Sequence, residues 1–274
     1  MRSKLLNASA AIALLTAWWS CGETPSIAVT QVSPYGFGGS GPALLAAPSL
    51  VDLRGLVNGM GPNPGLDDCL RFQDLRATCW LDVKDPGNSL MLAAIVDEPS
   101  CQAASITATS SGRNEVTITV DNGWGCAFGG GGTASSPHLS LLAIPLSALP
   151  ADEITVKLVH IGLAVPLAKM MVDLRRPLNI HQDVQAVTDE VRAARSAAVN
   201  DAFSRVAPGR GFTFLAIGTN RWTDTGLGCP RPGQTNAPAD ARGYVVFLTE
   251  YHPNLAMEYH VSGANVAFCG RVEY

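Results

Sequence analysis

The sequence predicts a mainly β protein with a C-terminal α+β module: an N-terminal β-sandwich, then one helix packed on an antiparallel sheet. Three observations carry this. Residues 50 to about 178 break into short apolar or alternating runs separated by turn signals such as Asp85-Pro86-Gly87-Asn88 and Asp121-Asn122-Gly123. Glycine (27) and proline (18) are abundant, as in loop-rich β proteins. Only residues 184–206 change to a helical period, and strand-like runs follow them.

In chain order, the first 21 residues read as a signal peptide. Arg2 and Lys4 precede the mostly apolar run Leu5 to Trp19, too short for a comfortable transmembrane helix. Ser20-Cys21-Gly22 follows, and a small residue before a cysteine resembles a bacterial lipoprotein signal with lipidation at Cys21. Trp18 stands where an aliphatic residue is usual. The expectation is export, either anchored to the cell membrane by that lipid or secreted or periplasmic. Residues 22–48, poor in charge and rich in Gly, Pro, Ala and Ser, read as a flexible linker. Gly36 to Gly41 formally matches G-x-G-x-x-G, but Pro42 follows at once and no strand–helix setting surrounds it, so it belongs to the linker and no cofactor is expected.

Residues 49–180 are the expected sandwich-like domain. Leu75–Val83, Leu90–Val96, Ile106–Thr109, Val116–Val120, Ile154–Val159 and Leu167–Leu174 are its strand candidates. Ile144 to Val156, with Pro145, Leu149 and Pro150, resembles the corner before a late strand in immunoglobulin-like and fibronectin-like domains, and Trp80 lies where such a domain places its core tryptophan.

Residues 181–274 form the expected module. Val187, Val191, Ala194, Ala198, Ala202 and Val206 mark one helix face. Thr188 is the expected cap, with Asp189 and Glu190 in the first turn, and Pro208-Gly209 ends the helix. Phe212–Gly218, Gly243–Glu250, Leu255–Val261 and Asn265–Cys269 follow as strands, the last three joined closely enough to be antiparallel neighbours.

Seven cysteines fit an oxidising compartment. With Cys21 lipidated, six remain, and sequence alone cannot fix their pairing. Proximity favours Cys69–Cys79, Cys101–Cys126 and Cys229–Cys269. No cysteine or histidine pair has zinc-ligand spacing, so no metal is expected. Charge is low (15% charged residues, net −4) and no basic cluster exceeds a pair, which sets nucleic-acid binding aside.

The candidate site is the stretch Trp222 to Arg242, read as a loop of about 20 residues, a length that is uncommon without a function. Trp222, Asp224, Leu227, Pro230, Arg231 and Pro232 are its candidate binding residues. Pro230 and Pro232 reduce the entropy lost on ordering, and a Cys229–Cys269 bridge would stiffen the loop further. Trp222 either heads this surface or plugs the module core. On the strand Leu255–Val261, alternation sends Leu255, Met257, Tyr259 and Val261 to the helix and leaves Glu258 and His260 on an outer face as a solvated pair, with acid–base chemistry as the sharper alternative. No catalytic nucleophile accompanies them.

Trp222, Asp224, Leu227-Gly228-Cys229-Pro230, Pro232-Gly233, Gly243-Tyr244, Glu258-Tyr259-His260 and Cys269 together resemble a pattern of secreted or lipid-anchored bacterial proteins. In these a helix precedes a W-x-D-x-x-L-G-C-P-x-P-G loop, a G-Y strand, a Y-E-Y-H-like strand and a terminal cysteine. The resemblance spans about residues 185–272. It departs at Gln234–Arg242, rich in Ala, Asn and Asp, and at Met257 in place of a more usual tyrosine. It implies an exported protein and assigns no activity. The leading expectation is therefore a binding protein of the envelope whose partner is an unknown protein or envelope ligand. Its competitors are a protease-inhibitor-like loop, a structural envelope component, and a hydrolase using Glu258 and His260.

Overall fold

The computed structural model describes residues 26–27, 30–36, 43–61, 88–99, 105–111, 114–121, 135–161, 166–174, 183–229, 233, 235–250 and 255–273. They form three layers. The middle layer is an eight-stranded mixed sheet, order β13-β12-β11-β10-β3-β4-β7-β2; a five-stranded mixed sheet, order β1-β5-β6-β8-β9, packs on one face and two helices on the other. The strands are β1 (Ser26–Ile27), β2 (Thr30–Gly36), β3 (Ala43–Ala47), β4 (Ser89–Pro99), β5 (Ser105–Ser110), β6 (Glu115–Asp121), β7 (Ser135–Pro145), β8 (Glu153–His160), β9 (Ala168–Asp173), β10 (Thr213–Asp224), β11 (Pro238–Thr249), β12 (Leu255–Ser262) and β13 (Asn265–Glu273). The helices are α1 (Leu50–Met60) and α2 (Val184–Arg205). The protein is thus mainly β with helices packed on a sheet.

The layering follows from side-chain period. A central strand buries both faces and so reads as an unbroken apolar run, whereas an outer strand buries one face and alternates. Ala43–Ala47 and Leu90–Val96 are buried throughout. Ala43, Leu45, Met91, Ala93 and Ile95 face the helices, while Leu44, Ala46, Leu90, Leu92, Ala94 and Val96 face the small sheet. By contrast β5, β6 and β8 alternate, with Ile106, Val116, Ile118, Val120, Ile154, Val156 and Leu158 inward.

The large sheet does not respect the expected divisions of the chain. Residues 22–48 contain β2 and β3, and β3 lies in the middle of the sheet, parallel to β10 on one side and antiparallel to β4 on the other. The linker composition conceals a short strand whose small Ala and Leu side chains suit burial on both faces. Because β3 and β4 join β10, one sheet runs across the 180/181 boundary. The expected corner after Ile144 is present: a 3-10 turn, Leu146–Ala148, leads into β8, with Leu149 half-buried against the inter-sheet core. Trp80, Leu75–Val83, Cys21, Cys69, Cys79, Cys101 and Cys126 lie outside the described residues.

Helix α2 buries Val187, Val191, Ala194, Ala198 and Ala202, the face its period predicts. Its cap is Asp183, whose carboxylate accepts from Gln185 N at 2.9 Å; Thr188 is buried one turn further in and donates to Val184 O at 2.8 Å. Helix α1 falls in a stretch expected to be strand. Its signals are local: Ser49 caps Asp52 N at 3.1 Å, and Leu53, Leu56, Val57 and Met60 recur at three and four. No helix among the described residues is long and apolar enough to cross a membrane.

Two buried tyrosines secure the helix side of the sheet. Burial raises the Tyr244 hydroxyl well above its ordinary 10.0, reinforced by Glu190, whose carboxylate accepts its hydrogen bond at 3.1 Å. Tyr259 is raised by burial and then by Asp201. A raised acid holds its proton better folded than unfolded, so this stabilisation is complete below pH 10.0 and is lost as pH rises above it. In an alkaline spectrophotometric titration, no more than three of the five tyrosines should ionise before the chain unfolds. Four or five early phenolates would contradict the packing.

Candidate functional site

The small sheet covers only part of the large one. Its edge strand β9 lies over β3 and β10. Beyond it, the same face of β10 to β13 is closed by the turn after β10. Trp222, Leu227 and Cys229 fill this end of the inter-sheet core beside Val245, Phe247, Ala256 and Ala267. The turn is short because its neighbours are strands. β10 runs through Trp222 to Asp224 and β11 begins at Pro238, so the expected 222–242 loop contracts to residues 225–237. The extension is held across the pair by Arg221, which donates to both carboxylate oxygens of Asp240 at 2.5 and 2.6 Å.

The base of the turn is fixed from several directions. Leu227 N donates to Asp224 O at 3.3 Å, Cys229 N to Gly226 O at 3.1 Å, and Gly228 N to the Asp224 carboxylate at 3.2 Å. On the return, Thr225 N donates to Ala237 O at 2.9 Å and Ala237 N to Thr225 Oγ1 at 3.1 Å. Leu227 has φ 56°, a left-handed conformation that a bulky residue adopts only when its surroundings hold it there. Its side chain is buried, its carbonyl is bonded by His260, and the next residue but one is tied to β13 by the Cys229–Cys269 disulfide.

His260 and Glu258 are not a solvated pair. His260 is 8% exposed, beneath the turn, with its ring stacked on Trp222 at 5.0 Å between centroids and 27° between planes. Nδ1 lies 2.6 Å from Leu227 O, and since a carbonyl only accepts, Nδ1 carries the hydrogen. Nε2 lies 2.8 Å from Glu258 Oε1, a contact that closes with one proton between them. Alternation does put both residues on the face away from the helices, while Met257, Tyr259 and Val261 face them; the turn covers that face, and Leu255 is exposed at the strand end.

The predicted site residues therefore separate. Trp222 and Leu227 are core. Asp224 is half-buried and braces the turn. Pro230, Arg231 and Pro232 lie outside the described residues. The sulfurs of Cys229 and Cys269 and a ring nitrogen of His260 lie within 4.8 Å of one another, a donor set that linear spacing does not reveal. With the sulfurs bonded to each other, neither is a thiolate ligand or nucleophile. Both ring nitrogens of His260 are also engaged, so the cluster acts as a clamp between β10, β12 and β13. The bridge spans 40 residues, and replacing both cysteines by serine should cost about 2–4 kcal/mol. Denaturant midpoints without reductant will check this.

Comparison with protein-family models, with curated proteins and with solved structures found no match to this chain.

Proposed function

We propose that the chain is an exported binding protein of the bacterial envelope, held by a lipid on Cys21 or released, that recognises its partner through the segment following Cys229. The observation that carries this reading is the locked base of the turn. The Cys229–Cys269 disulfide and the Thr225–Ala237 bonds fix both ends of the connection that contains Pro230, Arg231 and Pro232. A fixed base lowers the entropy cost of association. The disulfide also fits an oxidising compartment, in line with the apolar run before Cys21 and with the resemblance of residues 185–272 to exported proteins. Recognition passes to Arg231 and its flanking prolines, because Trp222 and Leu227 are engaged internally. The hydrolase alternative loses support from the same geometry, since Glu258 and His260 bond each other under Trp222.

Two measurements test this. Non-reducing peptide mapping of the protein from its native host should return a Cys229–Cys269 cross-link and an acylated or freshly cleaved N-terminus near Cys21. Free Cys229 together with an intact Met1 would overturn the export reading. A photo-crosslinking residue at position 231 should then trap one partner on intact cells, while the same residue at Thr117, on the outer face of β6, should not. Equal trapping at both positions would sink recognition by this loop.

A further inference from the structure

A second site lies on the helix side, where the C-terminal end of α1 meets α2 and β10. Arg192, Arg195, Ser196 and Asn200 sit at i, i+3, i+4 and i+8 on α2, which puts them in one stripe beside the buried one. With Asn58 of α1 and Phe214 of β10 they line an open cleft. No carboxylate lines it among the described residues.

The cleft holds positive charge that the fold leaves largely uncompensated. Arg195 is half-buried, its guanidinium 4.5 Å over the Phe214 ring. Its Nη1 donates to Gly59 O and Met60 O at 2.5 and 2.9 Å, capping the end of α1, which has no basic residue of its own in its last turn. Those carbonyls supply only the partial negative charge of a helix end. Its Nε is buried with no acceptor, and no carboxylate pairs with Arg195 among the described residues. Arg192 has Asp189 at 3.6 Å, but both side chains are more than half exposed, so this pair is loose. Burial, and next the charge of Arg192, lower the Arg195 pKa from its ordinary value, as expected of a cation short of a counter-charge.

We propose that this cleft binds a small organic oxyanion, a carboxylate or a phosphate monoester, between Arg192 and Arg195, with Asn58, Ser196 and Asn200 supplying polar contacts around it. Guanidinium groups are suited to such ligands because their N–H donors match oxyanion geometry. The proposal is independent of the loop reading, which concerns the opposite face of the sheet.

The test uses the full chain with the Cys229–Cys269 disulfide intact. Amide chemical shifts are followed by NMR during titration with phenyl phosphate, benzoate and, as the neutral control, benzyl alcohol. Saturable shifts are expected around Asn58, Ser196 and Asn200 with at least one anion and not with the alcohol; which anion binds more tightly decides between phosphate and carboxylate. Arg192→Gln, at an exposed position, should weaken binding by about fivefold or more, and raised salt should weaken it too. Asp189→Asn, which removes the competing carboxylate, should strengthen it. Arg195→Lys keeps the charge and loses the planar fork, so it should bind less tightly while remaining folded. No saturable shift, equal response to benzyl alcohol, or unchanged affinity in Arg192→Gln would each overturn the proposal.

Discussion

Trp222→Ala should lower stability by about 3–5 kcal/mol, the range for removing a large buried aromatic. The indole is 5% exposed and fills the end of the inter-sheet core with Leu227 and Cys229. It also supports the His260 ring, which in turn donates to Leu227 O. Removing it leaves a cavity and takes away the surface that holds Leu227 at positive φ. The disulfide still anchors Cys229, so the loss should appear as a lower denaturant midpoint under oxidising conditions while the chain remains cross-linked. Trp222→Phe should recover part of the loss by restoring a stacking surface. An unchanged midpoint in Trp222→Ala would return Trp222 to the list of recognition residues.

Gly55→Ala and Gly59→Ala should each destabilise, against the ordinary trend. On an exposed helix, glycine to alanine gains about 1 kcal/mol through propensity. Here a Cβ on Gly55 would stand 2.3 Å from Val187 Cβ, and one on Gly59 would stand 2.4 Å from Val191 Cγ1. The two glycines, four apart, let α1 lie against the β-branched side chains of α2. A cost of about 1–3 kcal/mol is expected for each alanine, and a larger one for valine. Val187→Ala should rescue Gly55→Ala only in part, because it removes Val187 Cγ1 but leaves Val187 Cβ, each 2.3 Å from the new methyl. A double-mutant cycle on urea midpoints measures this coupling. Additive losses, or a stabilised Gly55→Ala, would contradict the close crossing. The effect reaches the anion cleft as well, since Arg195 bonds the carbonyls of Gly59 and Met60 and depends on the same crossing.

Much of the architecture was legible because side-chain period reports burial directly. The α2 face, the hairpin of β5 and β6, the antiparallel order of β11, β12 and β13, and the Cys229–Cys269 bridge all follow from local spacing or proximity. Helix α1 had its signals as well, a Ser49–Asp52 cap and apolar residues at three and four; Gly55 and Gly59 weakened them, because glycine lowers helix propensity wherever it stands. Only the crossing with α2 gives those glycines a reason. The candidate site was legible in part. Cys229, Leu227 and Trp222 are indeed grouped; of the two readings of Trp222 the core one holds, Cys229 staples the turn as expected, and Leu227 packs inward instead of being displayed. Alternation can say which face of β12 carries His260; it cannot say that a turn from another strand covers that face.

The sequence by itself determined the class of the protein, mainly β with one long helix packed on a sheet, and which of its recognised strands are buried on both faces or on one. Unbroken apolar runs such as Leu90–Val96 are affordable only with protein on both sides, and alternating runs such as Glu115–Asp121 only with water on one. The tertiary structure alone decided that β3 from the supposed linker joins β10, making one sheet of two halves. It alone brought Arg192 and Arg195 to the end of α1, and buried His260 under Trp222. The physical reason is range. Period and capping depend on neighbours a few residues away, whereas the partner of β3 and the cover over His260 come from segments far along the chain, fixed only when the layers pack.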